Sequence, residues 1–227
     1  MDDLLQVLTQ TALFRNIDPE VLRTQILPRG YLQHFAKNQF LIVPQQRVDR
    51  IGIVVTGKVA IQHIFSSGIY RLMRTVSEGD ILGADLICTR SQLSPYHAVA
   101  AGSVALFSLP AAMLLSPGML DEAARLEALG QLLRLISQEN MKKEYRLAIL
   151  SQTGLRDRIM TYLTMQARRQ NTDTFSIPFT REELASFLCV NRSALSHELS
   201  LLRQDGLISF RKNQFTLHHH DPNAPSW

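Results

Sequence analysis

The chain is poor in cysteine and tryptophan and has no long apolar run. Of its 227 residues, two are cysteines, Cys88 and Cys189, and one is tryptophan. Neither cysteine belongs to a CxxC or Cys/His cluster, which excludes a zinc knuckle and a multi-cysteine iron–sulfur site within one chain. Two unpaired thiols suit a reducing cytoplasm rather than a disulfide-stapled secreted domain. The most apolar stretch, Ala98 to Leu115, is interrupted by Gly102, Ser103, Ser108 and Pro110. It reads as buried strands and a turn, not a membrane span. The start, Met1-Asp2-Asp3, is acidic where a signal peptide would be basic. A glycine-rich phosphate loop, an HExxH helix and a nucleophile elbow are all missing, which argues against the common enzyme classes. There is no repeat of 20–50 residues and no low-complexity segment. Excess charge of one sign is scarce too: 24 Lys+Arg against 20 Asp+Glu leaves +4. That balance permits a nucleic-acid partner without demanding one. The expectation is a soluble cytoplasmic protein without a membrane segment.

The texture of the chain changes along its length. Residues 4–27 read as helical, with Asp18-Pro19-Glu20 as a start signal: a cap, proline in the first turn, then an acid. From about residue 30 to 109, short apolar runs alternate with glycine and polar pairs. Ile51–Gly57, Val59–Phe65 and Tyr70–Val76 read as strands, with turns at Ser66-Ser67-Gly68 and Glu78-Gly79-Asp80. Many short strands with regular turns suggest a β-barrel or sandwich. From Met119 to Leu150 the pattern becomes helical. Leu126, Leu129, Leu133, Ile136, Asn140, Lys143, Leu147 and Leu150 recur in steps of three and four. That spacing fits a coiled-coil seam, with Asn140 as a polar register device, and it also fits a helix buried against its own domain. The dimer interface expected from the first reading is Leu126, Leu129, Leu133, Ile136, Asn140 and Leu147. Leu132 and Leu135 widen the apolar face, as packing on the barrel would require.

The most informative segment follows a helix at about 155–169. Thr180-Arg181-Glu182-Glu183 is a capping box. It opens a short helix, Arg181 to Leu188, followed by a tight turn at Cys189-Val190-Asn191. Asn191 caps a second helix, Arg192 to about Gln204, which ends at Asp205-Gly206. Ala185 is small enough for two helices to cross there, Cys189 is compact for the turn, and Leu195 supplies the inner face. This is the spacing of a helix-turn-helix. Residues 206–217 then alternate apolar and polar around Lys212-Asn213, as a β-hairpin wing would. Between Gln152 and Leu217 nine Lys+Arg and six Asp+Glu leave 9 − 6 = +3. The candidate DNA contacts are Thr180, Arg181, Asn191, Arg192, Ser193, Ser196, His197 and Lys212, whose side chains suit base edges and phosphates.

In this order, the pieces resemble the Crp/Fnr superfamily over roughly residues 13–217. Leu13–Ile17 looks like the entry to that family's sensor domain, Val55–Val59 like its glycine-marked hairpin, and Gly79-Asp80-Ile81-Leu82-Gly83 like its most typical turn. Val190–Leu199 resembles its recognition helix. The resemblance implies an α+β chain: a cyclic-nucleotide-binding-like β-roll (jelly-roll barrel) over 1–118, a dimerisation helix over 119–151, a winged helix-turn-helix over 152–217 and a tail over 218–227. It also implies a non-enzymatic transcription regulator, a homodimer on a palindromic operator in double-stranded DNA, meeting RNA polymerase. An effector of unknown identity is expected near Leu82, Gly83, Ala84, His97, Leu132 and Ile136. The alternative reading is a ligand-binding roll without gene-regulatory activity.

The departures narrow the cofactor. Cyclic-AMP binders of this family carry a glutamate where Ala84 stands and an Arg-Ser pair where this chain has about Ser94-Pro95-Tyr96-His97. A buried phosphate without a charge-assisted partner is poorly held, so cyclic AMP is disfavoured. Iron–sulfur is disfavoured by the absence of a cysteine cluster. Haem on His63 or His97 is disfavoured against ordinary strand histidines. Cys88 reads as a half-buried structural thiol or a redox switch, and His218-His219-His220 as a polar tail or a metal site. Ser193 and His197 stand where many relatives place glutamate and arginine, which points to a different operator.

Overall fold

A computed structural model describes residues 2–65 and 70–219. Its contacts divide the chain into Met1–Gln138 and Glu139–Trp227.

The first unit begins with α1 (Asp2–Gln10) and α2 (Pro19–Val21), which runs on through a π turn at Leu22–Ile26 and a 3-10 turn at Leu27–Arg29. The continuous helix expected over 4–27 is broken at residues 11–18. Leu13, Phe14 and Ile17 are buried there in turn conformation, so apolar spacing persists where the helix does not. Asp18 restarts the helix, its carboxylate accepting from the Glu20 N–H with Pro19 in the first turn. Among the described residues eight strands follow: β1 (Tyr31–Phe35), β2 (Phe40–Ile42), β3 (Arg50–Thr56), β4 (Lys58–Ile64), β5 (Tyr70–Ser77), β6 (Ile81–Leu82), β7 (His97–Ala100) and β8 (Val104–Pro110). Two short helices, α3 (Ala84–Ile87) and α4 (Ala112–Leu115), interrupt and follow them.

The strands form two antiparallel sheets of order β1-β8-β3-β6 and β2-β7-β4-β5. Both contribute to one core, with Ile51, Ile53 and Phe107 from the first sheet and Val59, Ile61 and Ala98 from the second. Gly57 joins β3 to β4 at φ +87, and a Cβ there would lie 2.2 Å from the Ser103 carbonyl oxygen, so only glycine fits this turn. The hairpin turn expected at Ser66-Ser67-Gly68 lies outside the described residues, but the flanking strands pair on either side of it, Ile64 opposite Tyr70, with a register shift between Ile61 and Gln62.

Helix α5 (Glu122–Leu150) starts in this unit with Asp121 accepting from the Ala124 N–H at 3.0 Å. Ala128 and Leu132 are buried in the core, and Leu129 and Ile136 pack against it. Leu126 and Leu133, one heptad apart, remain 58% and 67% exposed. In the second unit Asn140 is exposed and Leu147, one heptad further on, is 62% exposed. Cys88 is exposed rather than half-buried. Partial desolvation and the Asp85 charge still raise its thiol pKa, which works against a reactive thiolate.

The second unit contains α6 (Leu155–Gln170), β9 (Thr174–Ser176), α7 (Arg181–Phe187), α8 (Arg192–Gln204), β10 (Ile208–Arg211) and β11 (Gln214–Leu217). Its three strands run in the order β10-β11-β9. Asn171 ends α6 in the left-handed conformation at φ +50. Among the described residues, no helix is long and apolar enough to cross a membrane.

Candidate nucleic-acid interface

Two caps build the helix pair. The Thr180 hydroxyl accepts from the Glu183 N–H, and the Glu183 carboxylate accepts from the Thr180 N–H at 2.7 Å, which completes the box that starts α7. The Asn191 Oδ1 accepts from the Ala194 N–H at 2.7 Å and starts α8. Between them the chain reverses at Cys189, which takes φ +58, while the Val190 N–H donates to the Ala185 carbonyl. Ala185, Leu188, Leu195, Leu199 and Leu202 are all buried in the one apolar cluster of this unit. Thr180→Ala leaves the Glu183 N–H without its cap and is expected to cost about 1 kcal/mol. Calorimetric melting should show the C-terminal transition lowered by about 4–8 °C, with Thr180→Ser close to wild type.

With Leu195, Leu199 and Leu202 facing inward, the helical period turns Arg192, Ser193, Ser196 and His197 outward, and all four are exposed. Arg192 meets Glu182 at 4.0 Å, but both side chains are well exposed, so water and salt leave the guanidinium available. The Ser193 hydroxyl donates to Asn191 Oδ1 at 2.8 Å, so both residues serve the cap.

The wing is a three-stranded sheet rather than a lone hairpin, with β9 pairing Phe175 opposite Phe215. Lys212 sits exposed at its tip at φ +56. Arg181 holds that tip to α7. Its Nη2 donates to the Lys212 carbonyl at 3.0 Å, and its guanidinium lies 4.8 Å from the Phe210 ring centre and 5.0 Å from that of Phe215. Burial lowers the Arg181 pKa from its usual value. The Arg203 guanidinium lies 5.1 Å from the Phe210 ring centre. At the far end of α8, Arg156 of α6 binds Asp205 and lies 3.7 Å from Glu198.

The chain matches the model of the Crp-like helix-turn-helix domain over residues 157–224 and that of the cyclic nucleotide-binding domain over residues 32–116. The chain therefore carries a cyclic nucleotide-binding domain followed by a Crp-like helix-turn-helix domain. A Global nitrogen regulator of Synechococcus elongatus is 21% identical to it over 211 residues, 90% of each chain. In fold, it is similar to the c-di-GMP responsive global regulator CLP of Xanthomonas campestris, with 16% identity, a TM-score of 0.59 and coverage of 89% of this chain and 100% of that one. It is also similar to FixK2 from Bradyrhizobium japonicum, with 18% identity, a TM-score of 0.53 and coverage of 84% and 93%.

The loop by which cyclic-AMP binders hold their ligand is built differently in this chain. Gly83 takes φ +85 and starts α3, so the turn itself is present. Ala84, however, offers no carboxylate to a ribose. Asp85 accepts from the Tyr96 hydroxyl at 3.0 Å and faces Arg74 at 3.9 Å. Burial and the Asp85 charge push the Tyr96 pKa well above its usual value, so the phenol stays a neutral donor. Ser94 is buried, its hydroxyl donating to the Tyr96 carbonyl. These side chains satisfy one another and do not fit a cyclic phosphate. Of the other expected effector residues, Leu82 and Leu132 lie in the core. His97 packs on Phe40, and its buried Nδ1 has no partner among the described residues. His220 lies outside the described residues.

Proposed function

We propose that this chain is a cytoplasmic transcription regulator that acts by binding rather than by catalysis. As a homodimer, it reads a palindromic operator with α8 and meets RNA polymerase nearby. The observation that carries this reading is the exposed row Arg192, Ser193, Ser196 and His197, set beside a basic wing tip on a capped helix-turn-helix. Ser196 and His197 have no part in the cap and are the base readers; Arg192 serves a phosphate or a guanine edge. Arg181 positions the wing. Leu126, Leu133, Asn140 and Leu147 form the dimer seam, with Leu129 and Ile136 backing it from the core side. A two-fold dimer places two recognition helices one turn of DNA apart, about 34 Å.

The wing supplies the first test. Lys212 reaches only phosphate in this reading, so Lys212→Ala should weaken all DNA sequences about equally. It should also flatten the slope of log K against log salt by about one unit. Fluorescence anisotropy across a salt series measures this. An unchanged slope, or a loss confined to one sequence, would count against the placement.

A further inference from the structure

The first unit holds an open cleft of about 230 Å3, lined by none of the residues that stand in the nucleotide loop beyond Leu82. One wall is a single face of the first sheet. Tyr31 pairs with Ser108, which pairs with Gly52, and Gln33 pairs with Leu106. Cross-strand partners share a face, so these side chains point the same way. The other wall includes Gln46, Arg47 and Val48, a segment pinned where the Gln45 N–H donates to the Ser94 carbonyl and the Val48 N–H to the Gln92 carbonyl, both at 2.8 Å.

Two arginines line this cleft. The Arg50 guanidinium donates from Nη2 to the Ser108 carbonyl at 3.0 Å and lies 4.4 Å from the Tyr31 ring centre. Its Nε is buried with no partner among the described residues. Arg47 donates from Nε to the Gln92 side chain at 3.2 Å. Among the described residues neither guanidinium has a carboxylate within ion-pair distance, although Asp49, which is exposed, also lines the cleft. A half-buried guanidinium with donors to spare is unsatisfied by its own protein. Its planar fork matches a carboxylate. Leu41, Ile42, Val48 and Leu106 add apolar surface for a carbon skeleton. A cavity of about 150 Å3 accepts a benzene ring, so this one has room for a ring or short chain and its carboxylate.

We propose that this cleft is a binding site for a small organic carboxylate, paired with Arg50 and attracted by Arg47. It gives the regulator an effector site away from the nucleotide loop, and its binding is measurable without DNA. Calorimetry on the full chain would use acetate, hexanoate and benzoate, each against its neutral amide. At least one carboxylate should bind at millimolar concentration or below, about tenfold or more tightly than its amide. Arg50→Gln should abolish that preference. Arg50→Lys should keep part of it, having the charge without the fork. If Arg50→Gln melts early, Arg47→Gln carries the test, since that guanidinium is exposed; it should reduce the preference by about threefold. No binding by any of the three acids, or equal binding by acid and amide, would overturn the site. Band shifts on the same samples keep the two readings apart: operator binding that persists while carboxylate binding is absent removes this site alone.

Discussion

Phe215→Ala is expected to destabilise the C-terminal unit by about 3–5 kcal/mol and to abolish DNA binding. Phe215 is fully buried at the centre of β11, opposite Phe175 on β9 and Phe210 on β10. The Phe210 ring lies 5.6 Å away, and Arg181 stacks on the Phe215 ring. Removing the phenyl group leaves a cavity shared by the wing, α6 and the helix pair, which all belong to one buried cluster. It also removes half of the aromatic seat of Arg181, and with it the tie that holds the Lys212 turn. For a unit of this size each kcal/mol lowers the melting midpoint by about 4–8 °C, so a fall of roughly 12 °C or more is expected in its calorimetric transition. The N-terminal transition should hardly move, since its core is a separate cluster. A shift below about 5 °C would mean that Phe215 is not the keystone described.

Leu133→Asp together with Leu126→Asp should give a monomer. Both leucines are more than half exposed in the isolated chain, so each change should alter the monomer's own stability by only about 0.5 kcal/mol. In a seam each aspartate would be buried against its symmetry mate, at a cost of about 3–5 kcal/mol for an unpaired charge. Association should therefore weaken by at least two orders of magnitude. Sedimentation at micromolar concentration separates these outcomes. A wild-type monomer, or a double variant that still dimerises, would refute the seam.

The helix-turn-helix was legible because its signals are local. The Thr180 box and the Asn191 cap act within three residues, and α8 spans Arg192–Gln204 as its caps and Asp205-Gly206 stop foretold. Three features were not legible, each for a physical reason. The break at residues 11–18 preserves helical apolar spacing, so periodicity alone does not reveal it. Strand β9 is three residues long, too short for alternation to show, yet it completes the wing. Arg181 reads as a surface cation until Phe210 and Phe215, about thirty residues away, are folded beneath it. The carboxylate cleft was invisible for a related reason. Tyr31, Arg50 and Ser108 are far apart in sequence, and strand register alone brings them together. Beside the loop where the family resemblance places an effector, Asp85, Tyr96 and Arg74 satisfy one another instead.

The measurement that bears most directly on the central claim is selection of operators from random double-stranded DNA by the wild type, Ser196→Ala and His197→Ala. The wild type should enrich a palindrome. Each substitution should cost on the order of 1–3 kcal/mol on that operator and relax the base preference at one symmetric pair of positions. Enrichment of the same sequence with the same stringency by both variants would show that α8 does not read the bases, and would contradict the account.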